Sequence, residues 1–172
     1  MQIKWLDIKN ATIYESKGIW KSDNPFVNRV IQIESGGNPL AVAGYPKGTN
    51  DLLIRNKKAG GLFQFIPSTA KIYGLGLEER FNPEKAFEAF KLLVKDNIST
   101  LSKFNIPITA TNLYLAHQQG AGGLRAICNN INFGTPISSS IRRNMNNNKR
   151  PEVPIDAPAK DWYSAWDKFI GV

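Results

Sequence analysis

Asn24-Pro25-Phe26-Val27-Asn28-Arg29-Val30-Ile31-Gln32-Ile33-Glu34-Ser35-Gly36-Gly37 is the stretch on which the reading of this chain turns. Asparagine is a favoured helix N-cap, proline a favoured first helical residue, and the paired glycines supply a stop. Between them Phe26, Val27, Val30 and Ile31 recur at helical spacing. Glu34 lies seven, four and three positions beyond Val27, Val30 and Ile31, so it continues their face. A carboxylate on an apolar face is costly unless paired or protonated. Desolvation and the negative end of the helix dipole both favour the protonated form, which is the state a general acid needs. Periodicity by itself also allows an exposed glutamate at a frayed helix end.

Working outward, Asn82-Pro83-Glu84 repeats the cap-then-proline opening. Behind it Ala86, Phe87, Phe90, Leu93, Val94, Ile98 and Leu101 form one stripe, which predicts a central core helix of about five turns. Thr109 caps a further predicted helix through Leu113, Tyr114 and His117, ending at Gly120-Ala121-Gly122-Gly123. Helices are expected from Leu124 to Asn129 and from Pro136 to about Met145. Asn146 to Pro151 reads as a polar loop, and Trp162, Trp166 and Phe169 mark a C-terminal amphipathic helix. Residues 38–61 read as a long loop with a short hairpin around Asp51 to Arg55, followed by a short helix from about Pro67 to Tyr73. The first 23 residues form an extension whose packing residues are expected to be Trp5, Leu6, Ile8, Ile13, Tyr14, Ile19 and Trp20. The expectation is a mainly α, single domain over 1–172, with a core at 24–130 and C-terminal helices at 131–172.

Composition narrows the function classes. A chain of 172 residues that is 42% hydrophobic and 21% charged can bury a core and is not disordered. One cysteine excludes an intrachain disulfide, and with one histidine it argues against a structural zinc cluster. No run of eighteen apolar residues occurs, so no membrane insertion is expected. The first twenty residues lack a signal-peptide pattern, so synthesis in the cytoplasm is expected, with release or delivery needed to reach anything outside. The net charge of +8 favours polyanionic partners: nucleic acid, lipopolysaccharide or an acidic cell wall. No helix-turn-helix, RRM or zinc pattern supports nucleic acid. Arg142-Arg143 and Lys149-Arg150 read as a solvated basic face, with an envelope-binding patch as the alternative. Cys128 reads as a small buried residue rather than a nucleophile.

Three segments carry more. Glu34-Ser35-Gly36-Gly37-Asn38-Pro39 is followed by Gly60-Gly61-Leu62-Phe63-Gln64-Phe65-Ile66-Pro67-Ser68-Thr69-Ala70, and then by Tyr114-Leu115-Ala116-His117-Gln118-Gln119-Gly120-Ala121-Gly122-Gly123. In this order and spacing they resemble the soluble lytic transglycosylase family, whose α-lysozyme-like fold is shared with goose-type lysozyme. The resemblance covers roughly residues 25–130 and implies a lysozyme-like fold. The stretch from Pro39 to Gly60 is longer than the family's pattern, and its polar and basic residues read equally as one lip of the groove or as a solvated excursion.

It also implies a catalytic acid at Glu34 and a substrate-binding set of Ser35, Gln64, Phe63, Tyr114, His117 and Gln118. Ser35 corresponds to a serine bonding near the N-acetyl group. Gln64 corresponds to the glutamine of Gly-Leu-Met-Gln, with Phe63 in place of methionine. Ala116-His117-Gln118 stands where the family has Ala-Tyr-Asn. His117 or Tyr114 is then the donor facing the acid, and Gln118 the amide. By itself His117 reads equally as a packed core histidine.

The implied substrate is the β-1,4 bond between N-acetylmuramic acid and N-acetylglucosamine in peptidoglycan. Glu34 would protonate the leaving oxygen, the 2-acetamido group would assist, and a 1,6-anhydro ring would close without metal or cofactor. Most glycosidases use two carboxyls. Asp51, in the long loop, is the candidate for a second one that would position water, which keeps a hydrolytic muramidase open. A non-catalytic glycan-binding module is the rival from another class. A monomer is expected, serving as a phage endolysin, a virion-associated enzyme or part of a secretion apparatus.

Overall fold

Ile13–Ser16 (β1) and Ile19–Ser22 (β2) pair antiparallel around Lys17 and Gly18, whose φ angles of 53° and 76° are both positive, as a two-residue type I′ turn requires. Before this hairpin comes a short helix, Trp5–Lys9 (α1). In this computed structural model the described residues are 2–136, 138, 141, 151, 153, 154 and 156–172. Most of the helix expected from Pro136 to Met145, the polar loop after it and the basic pairs Arg142-Arg143 and Lys149-Arg150 lie outside them. Of the residues expected to pack in the N-terminal extension, Ile8 is fully buried, whereas Leu6 and Tyr14 are 60% and 48% exposed. One helical turn and a two-stranded ribbon have a single covered face each, and these two side chains lie on the other.

Pro25–Ser35 (α2) starts as the sequence predicts: Asn24 Oδ1 accepts from Val27 N at 3.1 Å, and Pro25 opens the first turn. Phe26, Val27, Val30 and Ile31 are buried, and Gly36 ends the helix at φ 62° with its N–H on Gln32 O. The hairpin holds both ends of α2. Ser22 N donates to Asn28 Oδ1, and Trp20 N donates to Gly37 O at 2.9 Å.

The long segment after α2 folds back on itself. Ala43 N donates to Ala59 O, Val42 pairs with Gly60, and Gly61 N donates to Ala41 O. At its tip the expected hairpin is instead a one-turn helix, Leu52–Arg55 (α3), with Asp51 as its N-cap. Pro67–Ile72 (α4) and a 3-10 turn at Glu78–Phe81 lead to the long helix Pro83–Lys103 (α5). Asn82 Oδ1 caps α5 by accepting from Lys85 N at 2.9 Å. Phe63 stacks on Phe90 with ring centroids 4.2 Å apart and on Phe87 at 6.0 Å, and Phe26 meets Phe90 from α2. These elements, from Lys4 to Lys95, make one compact unit.

A second unit comprises Gln2, Ile3 and the chain from Asp96 onward. Ala110–Phe133 (α6) is interrupted at Gly120, whose φ 72° and ψ 159° are not helical. The expected stop is therefore real in the backbone, although helix resumes at once. Thr109 caps α6 by accepting from Asn112 N at 3.2 Å. Ala159–Ile170 (α7) buries Trp162, Trp166 and Ile170, and Trp166 stacks on Tyr114 of α6 at 5.5 Å. Tyr163 donates to Asn112 Oδ1 at 2.9 Å, and Thr111 donates to Asp167 Oδ1, so polar bonds fix the register of α7 on α6. The protein is mainly α.

Candidate active site

Glu34 occupies the last turn of α2 and is half-buried, one turn beyond the buried Val30 and Ile31. Its position is fixed by the residues after it. Ser35 Oγ donates to Ile31 O at 3.1 Å and accepts from Gly37 N at 3.2 Å, so the hydroxyl staples the helix end to the following turn. A Cβ on Gly37 would stand 2.5 Å from Ile19 Cγ2 and 2.7 Å from Trp20 O. Only glycine lets the chain lie this close to β2, and its φ of 79° demands one too.

Just after Glu34 a cavity of about 240 Å3 is lined by Ser35, Gly36 and Asn38 and, from the folded-back segment, by Tyr45 and Lys47. Lys58 Nζ lies 6.0 Å from the centre of the Tyr45 ring. This wall is aromatic and positive, a surface suited to sugars that carry carboxylates.

Gln64 borders the same segment. It has a φ of 49°, and its Nε2 donates to Gly61 O at 2.9 Å and to Ala41 O at 3.2 Å. Both amide hydrogens are thereby used inside the chain, which leaves the carbonyl oxygen as the group Gln64 can offer a ligand. Phe63 does not share this position. Its ring is fully buried in the phenylalanine stack, so it supports the Gly61–Gln64 turn from beneath rather than meeting a sugar. Asp51 Oδ1 accepts from Leu53 N at 2.8 Å and Ile54 N at 3.4 Å, and the work of this carboxylate in the fold is to cap α3.

In the second unit, Tyr114, His117 and Gln118 lie on successive turns of α6 before Gly120. Tyr114 is fully buried against Trp166, and its ring lies 6.3 Å from the half-buried His117 ring. Gln118 Oε1 accepts from Gln119 Nε2 at 3.3 Å, while Gln118 Nε2 is buried with no hydrogen-bond partner among the described residues. Such a donor is costly to leave unused.

A family model for the transglycosylase SLT domain matches residues 12–122, well over half of the chain. The chain belongs to the transglycosylase SLT domain family. No curated protein and no solved structure matches it. The SLT match runs from the hairpin past Gly120 and so includes Glu34, Ser35, Asp51, Phe63, Gln64, Tyr114, His117 and Gln118, and with it come a lysozyme-like fold and peptidoglycan as the substrate class. Among the described residues of this SLT domain, no cluster of His, Cys, Asp and Glu could hold a metal ion, and no helix is long and apolar enough to cross a membrane.

One residue that positions the SLT site has no signature in the sequence. Arg80 has no solvent exposure, and its guanidinium donates to the carbonyls of Leu77, Lys58, Phe65 and Arg55 at 2.6–3.0 Å. It thereby ties the end of the folded-back segment to the turn that carries Gln64. Burial pulls its pKa down, Glu78 opposes this, and Arg55 adds to it. Arg55 itself lies 3.9 Å over the Phe81 ring and pairs with Glu78 at 2.9 Å. Glu79-Arg80-Phe81 offers only a charged stretch to a reader of the sequence, and nothing there marks a buried cation.

Proposed function

We propose that Glu34 is the general acid and base of this transglycosylase, acting on the bond between N-acetylmuramic acid and N-acetylglucosamine. The observation that carries the reading is a half-buried carboxyl at the end of an apolar helix face, on a helix end fixed by Ser35, Gly36 and Gly37, with a cavity lined by Ser35 and Gly36 directly after it. Glu34 protonates the glycosidic oxygen as the bond breaks. The 2-acetamido carbonyl of the substrate stabilises the developing cation at the anomeric carbon. Glu34, now a carboxylate, takes the proton from the C6 hydroxyl, and the 1,6-anhydro ring closes. Gln64 offers the glycan an acceptor, and Tyr45, Lys47 and Lys58 form a lip in the same unit; Gln118, in its own unit, offers a donor. The capping work of Asp51 favours this route over one that needs a second carboxylate to position water. The protein acts as a monomer on the cell wall.

Glu34→Gln should keep the fold and lose wall-clearing activity by roughly 10²–10⁴-fold, the usual contribution of a positioned proton donor. Muropeptides from a digest by the native protein, after borohydride treatment, should lie about 20 mass units below the reduced hydrolytic products, because water is not added and no reducing end remains. Mass spectrometry separates the alternatives. Fully reducible ends would mean a muramidase, with Asp51→Asn the next variant, and wall binding without cleavage would mean a glycan-binding module.

A further inference from the structure

A cavity of about 630 Å3 is lined by residues of the second unit alone. It opens where the end of α5, the connection to α6, the part of α6 after Gly120 and α7 meet. Its volume is that of a site for a small organic ligand rather than for a single ion. Lys103 and Arg125 supply two cationic groups to its wall, and among the described residues no acidic side chain lines it. The Arg125 guanidinium lies 4.4 Å over the exposed Phe104 ring, which orients it while leaving its N–H edge available. Deeper in, Asn112 is held rigid between the hydroxyl of Tyr163 and the carbonyl of Pro107. Cys128 is half-buried in the same wall. Burial raises the pKa of the Cys128 thiol and, as the leading cause, that of the Tyr163 hydroxyl, so the floor is uncharged while the mouth is positive.

A cationic mouth over a floor of carboxamides and apolar groups matches a chain that combines carboxylates with amides. We propose that this cavity binds a short carboxylate-bearing peptide, and that in the wall its source is the stem peptide of peptidoglycan. The second half of this statement rests on the proposed function. The first half does not, because it follows from the lining alone. Arg125 makes a paired contact with a carboxylate, Lys103 adds a second charge, and the exposed carboxamides of Asn105, Asn129 and Asn132 on the same wall meet the peptide groups.

Cys128 is the only cysteine in the chain, so it reports occupancy directly. Stem peptides freed of sugar and added to the full-length protein should slow maleimide labelling of Cys128 by the factor 1 + [L]/Kd. Arg125→Gln with Lys103→Gln, both exposed positions, should fold normally by circular dichroism and weaken this protection at least tenfold. Three results would overturn the proposal: labelling unchanged by stem peptides, equal protection by the same peptides with amidated carboxyls, or equal protection in the double variant. Better protection by a nucleotide would assign the cavity to a phosphate ligand instead and would also overturn it. The measurement is repeated in Glu34→Gln. Protection with no wall cleavage by the native protein would remove the proposed function and leave the peptide site, and cleavage without protection would do the reverse. Peptide-free glycan strands give no protection if the peptide is the recognised part, and protection by them would also count against the proposal.

Discussion

A guanidinium withdrawn from water is tolerable only where its donors meet acceptors, and Arg80 meets four carbonyls. Arg80→Leu should therefore cost about 3–5 kcal/mol, the range for breaking a buried charged network, read as a lower urea midpoint. Arg80→Lys should not restore it, because one ammonium cannot span the same four oxygens. Glu78→Gln is the contrast. Its side chain is half-exposed, so losing the ion pair with Arg55 should cost at most about 1 kcal/mol in the same assay. At this scale the sequence was uneven. Glu34, Ser35 and Gln64 stand out in the sequence only as members of motifs, and Phe63 and Tyr114 belong to the same motifs although both are fully buried. A motif records which residues occur together and does not say which of them support the others from below.

Among the elements, the two glycines that end α2 divide two physical demands. Gly36 has a φ of 62° and open space around it, whereas Gly37 combines a φ of 79° with contact to β2. Gly36→Ala should cost about 1–2 kcal/mol for the left-handed backbone alone. Gly37→Ala should cost more, since its Cβ must also displace the hairpin, and it should depress wall cleavage by moving the turn that holds Glu34. Thermal unfolding and turbidity clearance of the two folded variants test this, and equal losses would show that the contact is incidental. The helices α2 and α5 were legible because an Asn-Pro start and a long 3.6-residue period agree. Asp51 to Arg55 was read as a hairpin because three apolar residues in a row fit a strand or a helical turn equally well, and only the capping bonds of Asp51 decide. The first hairpin was missed because Lys17-Gly18 is a weak turn signal beside strands of four residues.

Over the whole molecule, a charge of +8 on an anionic substrate should show in ionic strength. Association with purified wall should weaken from low to high salt, as screening contracts to about 8 Å at physiological concentration, and a pull-down unaffected by salt would make the charge incidental. Fold class and family were readable from order and spacing, because three motifs in sequence restrict the architecture more than any one of them. The cavity of the second unit was not readable, since its wall is assembled from residues that are far apart in the chain and unremarkable in isolation. The ring of carbonyls around Arg80 also bears on the order of events during folding. Residues 55, 58, 65 and 77 must all have arrived before the last bond can close, and the expectation is that the ring completes after the rate-limiting step. Stopped-flow traces of Arg80→Leu should then show faster unfolding with a nearly unchanged refolding rate. One buried side chain would act as a latch that sets how long the native state lasts, with little say in how quickly it is reached.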